Sequence, residues 1–268
     1  FVHTGDIVYY DALAKTQELA HYHWQRMYSL PSNVRFHRQV ASYFMKDDHD
    51  AWMNDSWPSL RSMYMGGFTF AQGARTFRQQ VPMGERTYRT VRWGRDLQIW
   101  MMEGRDYRSP NSMPDGPGKT IWGIEQWLWL LRSLGESDAT YKVILSPTAI
   151  VGPDADPFSK RGDNHADIDR AYEGDEIRRL LARHENLVVI AGDLHYQYMS
   201  IDPNTGLREY GCGPASDAHT TGGVQYTSVD PRSGRREHGP WTDDNSSPDG
   251  PRARHRDEYH RYRNPVGG

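Results

Sequence analysis

Apolar and polar positions along the chain fall into two periods. Short apolar runs closed by polar clusters predict buried strands at residues 1–8, 40–45, 141–145 and 187–191. Residues 87–93 and 97–102 flank Gly94-Arg95-Asp96, and 196–201 and 208–210 flank Asn204-Thr205-Gly206, so each pair predicts a β-hairpin. The helical period appears over 11–30, ending before Pro31, then in the Trp127, Leu128, Leu130, Leu131 and Leu134 stripe of 124–134, and again over the charged stretch 173–184. Residues 54–84 show weak periodicity and predict loop with short helical pieces. From Ser228 onward apolar periodicity is lost and a solvated loop or extension is expected. Helix followed by strand recurs, which favours an α/β fold with parallel pairs in its sheet.

Composition narrows the function. The chain has 268 residues, enough for one large domain, and a formal net charge of -3, which argues against non-specific attraction to nucleic acid or to anionic membrane. The expected partner is a small molecule. Mean hydropathy is -0.84 although aromatics reach 12%, so Trp, Tyr and Met must share the core with Leu and Val. Cys212 is the one cysteine, which excludes an intrachain disulfide and a thiolate zinc cluster; lying between Gly211 and Gly213, it reads as a packing residue. No apolar run reaches the length of about 18 residues that a membrane span needs. The chain begins inside an apolar strand without Met, as a processed or truncated product would.

The chemistry lies where the apolar runs stop. Gly5-Asp6 follows the start of the first, Asp47-Asp48-His49-Asp50 the second and Gly192-Asp193-Leu194-His195 the run at 187–191. Open α/β sheets place ligand sites at strand carboxyl ends, so three acid-bearing ends can build one site. Tyr9 can return toward Asp6 if the chain turns after its strand, offering one cation a carboxylate and a phenolate, both hard oxygen donors. The plainer alternative is that Gly-Asp marks only a turn and Tyr9 packs. Asp193 and His195, two apart on an extended segment, share a face. His49 is placed to protonate a leaving group or hold phosphate, or is a satisfied structural histidine. Arg105 and Arg108 suit a phosphate clamp or a salt bridge to Asp106 or Glu103. His255 and His260 read as surface residues.

Gly5-Asp6-Ile7-Val8-Tyr9, Asp47 to Asp50 with Asn54-Asp55 behind it, and Gly192 to His195 resemble, in this order, three blocks of the PhoD-like (alkaline phosphatase D) metallophosphatases. Further resemblance runs through Arg105 to Arg108, Trp122 to Leu131, Asp163 to Ala166 and Gly211 to Pro214. It implies an α/β fold, a metallophosphoesterase-like sandwich of mixed β-sheets flanked by helices. It also implies a phosphoesterase, with a phosphomonoester or phosphodiester as substrate and a two-metal site generating the attacking hydroxide, Fe3+ with Ca2+ or another pair. Asp6 would bridge the metals, Tyr9 would bind the ferric ion, and Asp48, Asp193 and His195 would complete the site. His49 would be catalytic, and Asn54 and Arg105 would bind substrate. His165, Asp217 and His219 are candidates by resemblance alone, as is a secreted or periplasmic location.

The family carries an acidic strand end, and commonly a cysteine ligand, ahead of the Gly-Asp-x-x-Tyr block, and here nothing stands upstream of Phe1. The expectation is a catalytic domain over 1–227 without its N-terminal strand, then a polar extension over 228–268 leading toward absent C-terminal strands. The alternative is a non-catalytic phosphate- or metal-binding member of the same fold with an incomplete site.

Overall fold

The computed structural model describes residues 1–152, 162–195 and 197–214, and the backbone of 236–241. Its centre is a mixed sheet. Among the described residues this sheet holds seven strands: β3 (Arg89–Trp93), β4 (Leu97–Met101), β5 (Tyr141–Ser146), β6 (Leu187–Ala191), β7 (Gln197–Ile201), β8 (Arg208–Cys212) and β9 (Arg236–Trp241), in the order β3-β4-β5-β6-β8-β7-β9. The four strands β4, β5, β6 and β8 are parallel, while β3, β7 and β9 pair antiparallel with their neighbours. Parallel neighbours need crossovers. The helices α6 (Gly123–Gly135) and α7 (Ala171–Leu181) supply those between β4, β5 and β6.

Strand alternation sends successive side chains to opposite faces, and both faces are covered. Trp100, Ile144, Leu187 and Val189 pack with Leu130 and Leu134 of α6 and Ile177 and Leu181 of α7. On the other face Ile99, Met101, Val143, Leu145 and Ile190 meet Val2, Tyr43 and Met45. These last residues belong to or adjoin a second, two-stranded parallel sheet, β1 (Val2–His3) with β2 (Tyr43–Phe44). A third core joins α1 (Tyr10–Leu13), α2 (Gln17–Tyr28), α4 (Asp48–Ala51) and α5 (Phe70–Gln80), with Trp24 donating from Nε1 to the Tyr10 hydroxyl at 2.7 Å.

Both hairpins, the helix over 124–134 and the strands at 141–145 and 187–191 form where periodicity predicts them, and the helix expected over 173–184 forms a few residues earlier. Four expectations change. The first two strands shrink to two residues each, because the chain turns at Gly5 and Asp6 and the approach to β2 is the helix α3 (Pro31–Gln39). The helix expected over 11–30 breaks at Ala14, whose backbone is extended, and restarts where Thr16 Oγ1 accepts from the Leu19 amide. Residues 54–84 contain the eleven-residue helix α5. Residues 236–241 form β9 within the expected polar extension, since a strand on the sheet edge is held by main-chain pairing with β7 and needs no apolar period. The boundary placed at 227, and Asp217, His219, His255 and His260, lie outside the described residues.

Candidate metal centre

Glycine brings the acid-bearing loops together. Gly5 sits at φ 114°, and a Cβ there would lie 2.6 Å from Asp47 Cβ; one on Gly192 would lie 2.9 Å from Thr4 Oγ1. The ends of β1, β2 and β6 therefore touch main chain to main chain. Just beyond these contacts Asp6 (φ 56°) and Asp193 (φ 63°) adopt the left-handed conformation, as does Asp55 (φ 53°). Asp tolerates this region better than most residues, and its cost of about 1–3 kcal/mol is typical of sites whose geometry matters more than relaxed backbone. The Asp47–Asp50 run opens α4 with a capping box, in which Asp47 caps the helix and Asp50 returns to the Asp47 amide.

Among the described residues the acids and His49 converge in three groups, within each of which the donor atoms lie within 4.8 Å of one another: Asp6, Asp48 and His49; Asp47, Asp48 and Asp193; Asp48, Asp55 and Asp163. Asp48 is common to all three. Tyr9 joins them by donating its hydroxyl to Asp6 Oδ2 at 3.2 Å, and this Tyr9 hydroxyl stands 3.4 Å from His195 Nε2. The residues expected to hold metal, Asp6, Tyr9, Asp48, Asp193 and His195, thus lie at one place. Asp6 Oδ1 and Asp47 Oδ2 are buried without a hydrogen-bond partner. Buried anionic oxygens without donors call for cations, and carboxylates with an imidazole suit hard or intermediate ones. The residues fit a metal cluster.

Electrostatics agree with this. Burial, then the charges of Asp48, Asp47, Asp50 and Asp193, hold the Asp6 carboxyl well above the usual range, and Asp193 is raised by burial and by Asp47, Asp163 and Asp48. Burial lifts Asp47 to about 6 against the opposing pull of Arg105. Tyr9 is also raised, by burial and then by Asp6, so without cations it is a phenol.

His49 lies beside this cluster. Its Nδ1 is 2.8 Å from Asp11 Oδ1, and its ring stacks on Tyr9 with centroids 4.0 Å apart. Burial alone would lower its pKa, but the Asp11 hydrogen bond and the charges of Asp48, Asp11 and Asp50 push it up to about 9. Asn54 is exposed, and its backbone N–H donates to Asp11 Oδ2 at 3.1 Å. Arg105 is fully buried: Nε donates to Asp47 Oδ1 at 2.5 Å, and its two terminal nitrogens donate to the two oxygens of Asp163 at 2.8 Å each. A salt bridge is indeed made, but to Asp47 and Asp163 rather than Asp106 or Glu103, which bind the buried Lys46. Arg108 likewise binds Asp163 and the Gly104 carbonyl. His165 is spent on Glu173, 3.1 Å away. Sequence reasoning missed Asp11, Asp55 and Asp163 as members of the site, and Asp47 as more than a neighbour of Asp48. Asp47 carried a signal through its place in the acidic run, and Asp55 and Asp163 only through the stretches of family resemblance that contain them.

The family model for PhoD-like phosphatases matches residues 1–231. Among solved structures, the chain is similar to one described as the structure of PhoD, at 18% identity and TM-score 0.52, over 68% of this chain and 41% of that one. It is also similar to the purple acid phosphatase PPD1 from yellow lupin (Lupinus luteus) seeds, at 11% identity and TM-score 0.56, over 89% and 40%. The chain thus spans about two fifths of the length of either. No curated protein matches it.

Proposed function

The chain is a member of the PhoD-like phosphatase family, and from that premise we propose that it hydrolyses phosphate mono- or diesters at a pair of cations, Fe3+ with Ca2+ or another two-metal pair. Asp6, Tyr9, Asp48, Asp193 and His195 would hold them, with Asp47 beside them. The observation that carries this reading is the pair of buried, partnerless carboxylate oxygens, Asp6 Oδ1 and Asp47 Oδ2. When bound, two cations supply positive charge to the phosphoryl oxygens and activate water for in-line attack.

The protein's own groups do the rest. Asp11 engages Nδ1 of His49 and leaves Nε2 to carry a proton to the leaving oxygen. Arg105 is read as a brace, since its three donors already fix Asp47 and Asp163. Asn54 is left as the exposed polar side chain for substrate. A secreted or periplasmic setting belongs to the same reading; none of the described helices is long and apolar enough to cross a membrane.

The test measures bound metal together with hydrolysis of p-nitrophenyl phosphate and bis(p-nitrophenyl) phosphate. Asp48→Ala should lose both metal and turnover. His49→Ala should lose about 10²-fold or more in kcat while holding most of its metal, since Asp11 engages Nδ1 and Asp6 and Asp48 remain in the group that His49 shares. Turnover that survives chelation and Asp48→Ala would overturn the reading, and metal held without turnover would leave a binding protein of the same fold.

A further inference from the structure

Asp50 is the acid of the Asp47–Asp50 run that joins none of the three candidate cation groups. It is fully buried, and its carboxylate is spent on main chain. Oδ1 accepts from the amides of Ile7 and Val8, each at 2.7 Å, and Oδ2 accepts from the Asp47 amide at 3.2 Å. Ile7 and Val8 lie between Asp6 and Tyr9. Asp47 and Asp48 open α4, the helix that also carries Asp50.

We propose that Asp50 is a positioning residue: one buried carboxylate ties the turn bearing Asp6 and Tyr9 to the helix start bearing Asp48, and so sets the spacing of donors that are far apart in sequence. The inference rests on the metal reading for its consequence, though not for its geometry. Two adjacent amides can converge on one oxygen only if the chain turns, and the left-handed Asp6 makes that turn. Among the described residues no other acceptor bonds the Ile7 and Val8 amides, so the anionic acceptor fixes a backbone that Asp6 alone would find unfavourable. Groups that orient ligands typically change metal affinity by about 10- to 100-fold when replaced.

Glu209 offers a matched comparison. It is equally buried, and it accepts from the amides of Ile150, Val151 and Gly152 and from the Tyr198 hydroxyl, but it belongs to none of the candidate cation groups. Removing it should cost stability without touching the cluster.

The experiment has two readouts. In cation-free protein, hydrogen exchange at the Ile7 and Val8 amides should be slow in the wild type and at least about 10-fold faster in Asp50→Ala, which leaves buried donors without an acceptor. Ca2+ and Fe3+ affinities are then measured for the wild type, Asp50→Asn and Glu209→Gln. Asp50→Asn keeps one acceptor oxygen for Ile7 and Val8 but sets an NH2 against the Asp47 amide, so it should fold and bind cations about 10- to 100-fold more weakly. Glu209→Gln should melt earlier and bind them as the wild type does. Unchanged exchange in Asp50→Ala, wild-type affinity in Asp50→Asn, or an equal loss in Glu209→Gln would each overturn the inference. A wild type that binds no cation would instead overturn the metal reading, and the exchange measurement would still decide whether Asp50 holds the turn.

Discussion

At the scale of single residues, the site depends on positions that carry no chemistry. Gly5 is one: its φ of 114° disfavours a side chain, and a Cβ would meet Asp47 Cβ at 2.6 Å. Gly5→Ala should therefore destabilise the protein by about 1–3 kcal/mol and weaken cation binding, because the clash pushes β1 from the loop that carries Asp47 and Asp48. Gly66→Ala is the control, since its φ is also positive, 58°, but nothing lies within 4 Å of its Cβ. Thermal melts and cation affinities of the two variants check this; equal behaviour would mean that the contact at Gly5 is unimportant. That the candidate acids share one sheet edge was legible, because an acid just past an apolar run has one natural place in an open sheet. Asp11, Asp55 and Asp163 were not, since each reaches the site through a tertiary contact: Asp11 through His49, Asp55 through its amide on Asp48, Asp163 through Arg105. The salt bridge that the sequence allows for Arg105 is made, but with Asp47 and Asp163, partners that only the fold brings to it.

At the scale of elements, α4 owes its position to α5. Gly73 of α5 lies so close to the Ala51 carbonyl at the end of α4 that a Cβ would be 2.0 Å from that oxygen, and Trp52 Nε1 donates to the Phe68 carbonyl at 2.7 Å. Gly73→Ala should force the two helices apart, costing about 1–3 kcal/mol. Because α4 carries Asp48 and His49, the same variant should lower cation affinity. Gly135→Ala, at the end of α6 with open space around its Cβ, should be near neutral in melting and in cation binding. A Gly73→Ala protein that melts and binds as the wild type would show that the contact relaxes freely. Sequence revealed elements whose burial is periodic and long: the β3–β4 hairpin around its turn cluster, and α6 with Leu130 and Leu134 inward. It concealed α5, whose Phe70, Ala74 and Phe77 mark one face, because Gly73 and the surrounding Gly- and Met-rich stretch dilute that signal. It concealed the shortness of β1 and β2, because their apolar runs continue past the paired residues into loop core.

At the scale of the whole molecule, the site lies where the two sheets and the helical layer meet, and its charge makes stability depend on pH. Asp6, Asp47, Asp50 and Asp193 are all held above the usual carboxylate range, with burial the largest cause in each; Asp47 is at about 6 and Asp50 at about 7. An acid whose folded pKa exceeds its unfolded value of about 3.9 contributes stability below that value and loses the contribution as pH rises through the folded pKa. His165, lowered by burial, and Asp163, lowered by Arg105 and Arg108 against its burial, act in the opposite sense. The contribution of His165 starts to be lost as pH falls to its unfolded value of about 6.5, and that of Asp163 only lower, in the carboxylate range. Between pH 8 and 6.5 the raised acids and His49, whose folded pKa of about 9 lies above its unfolded value of about 6.5, therefore set the slope together, and the Tm of the cation-free protein should rise on acidification. With cations bound, the repulsion is offset and protons compete for the same oxygens, so over this window Tm should fall. Melting with and without chelator at several pH values tests both slopes. Asp6→Asn removes one of the crowded charges: without cations it should melt above the wild type at pH 8, vary less with pH, and gain little when cations are added. A chelated wild type whose Tm stays level or drops between pH 8 and 6.5 would mean that the acids do not repel one another in the folded state, and the case for cations at this edge would lose its electrostatic support.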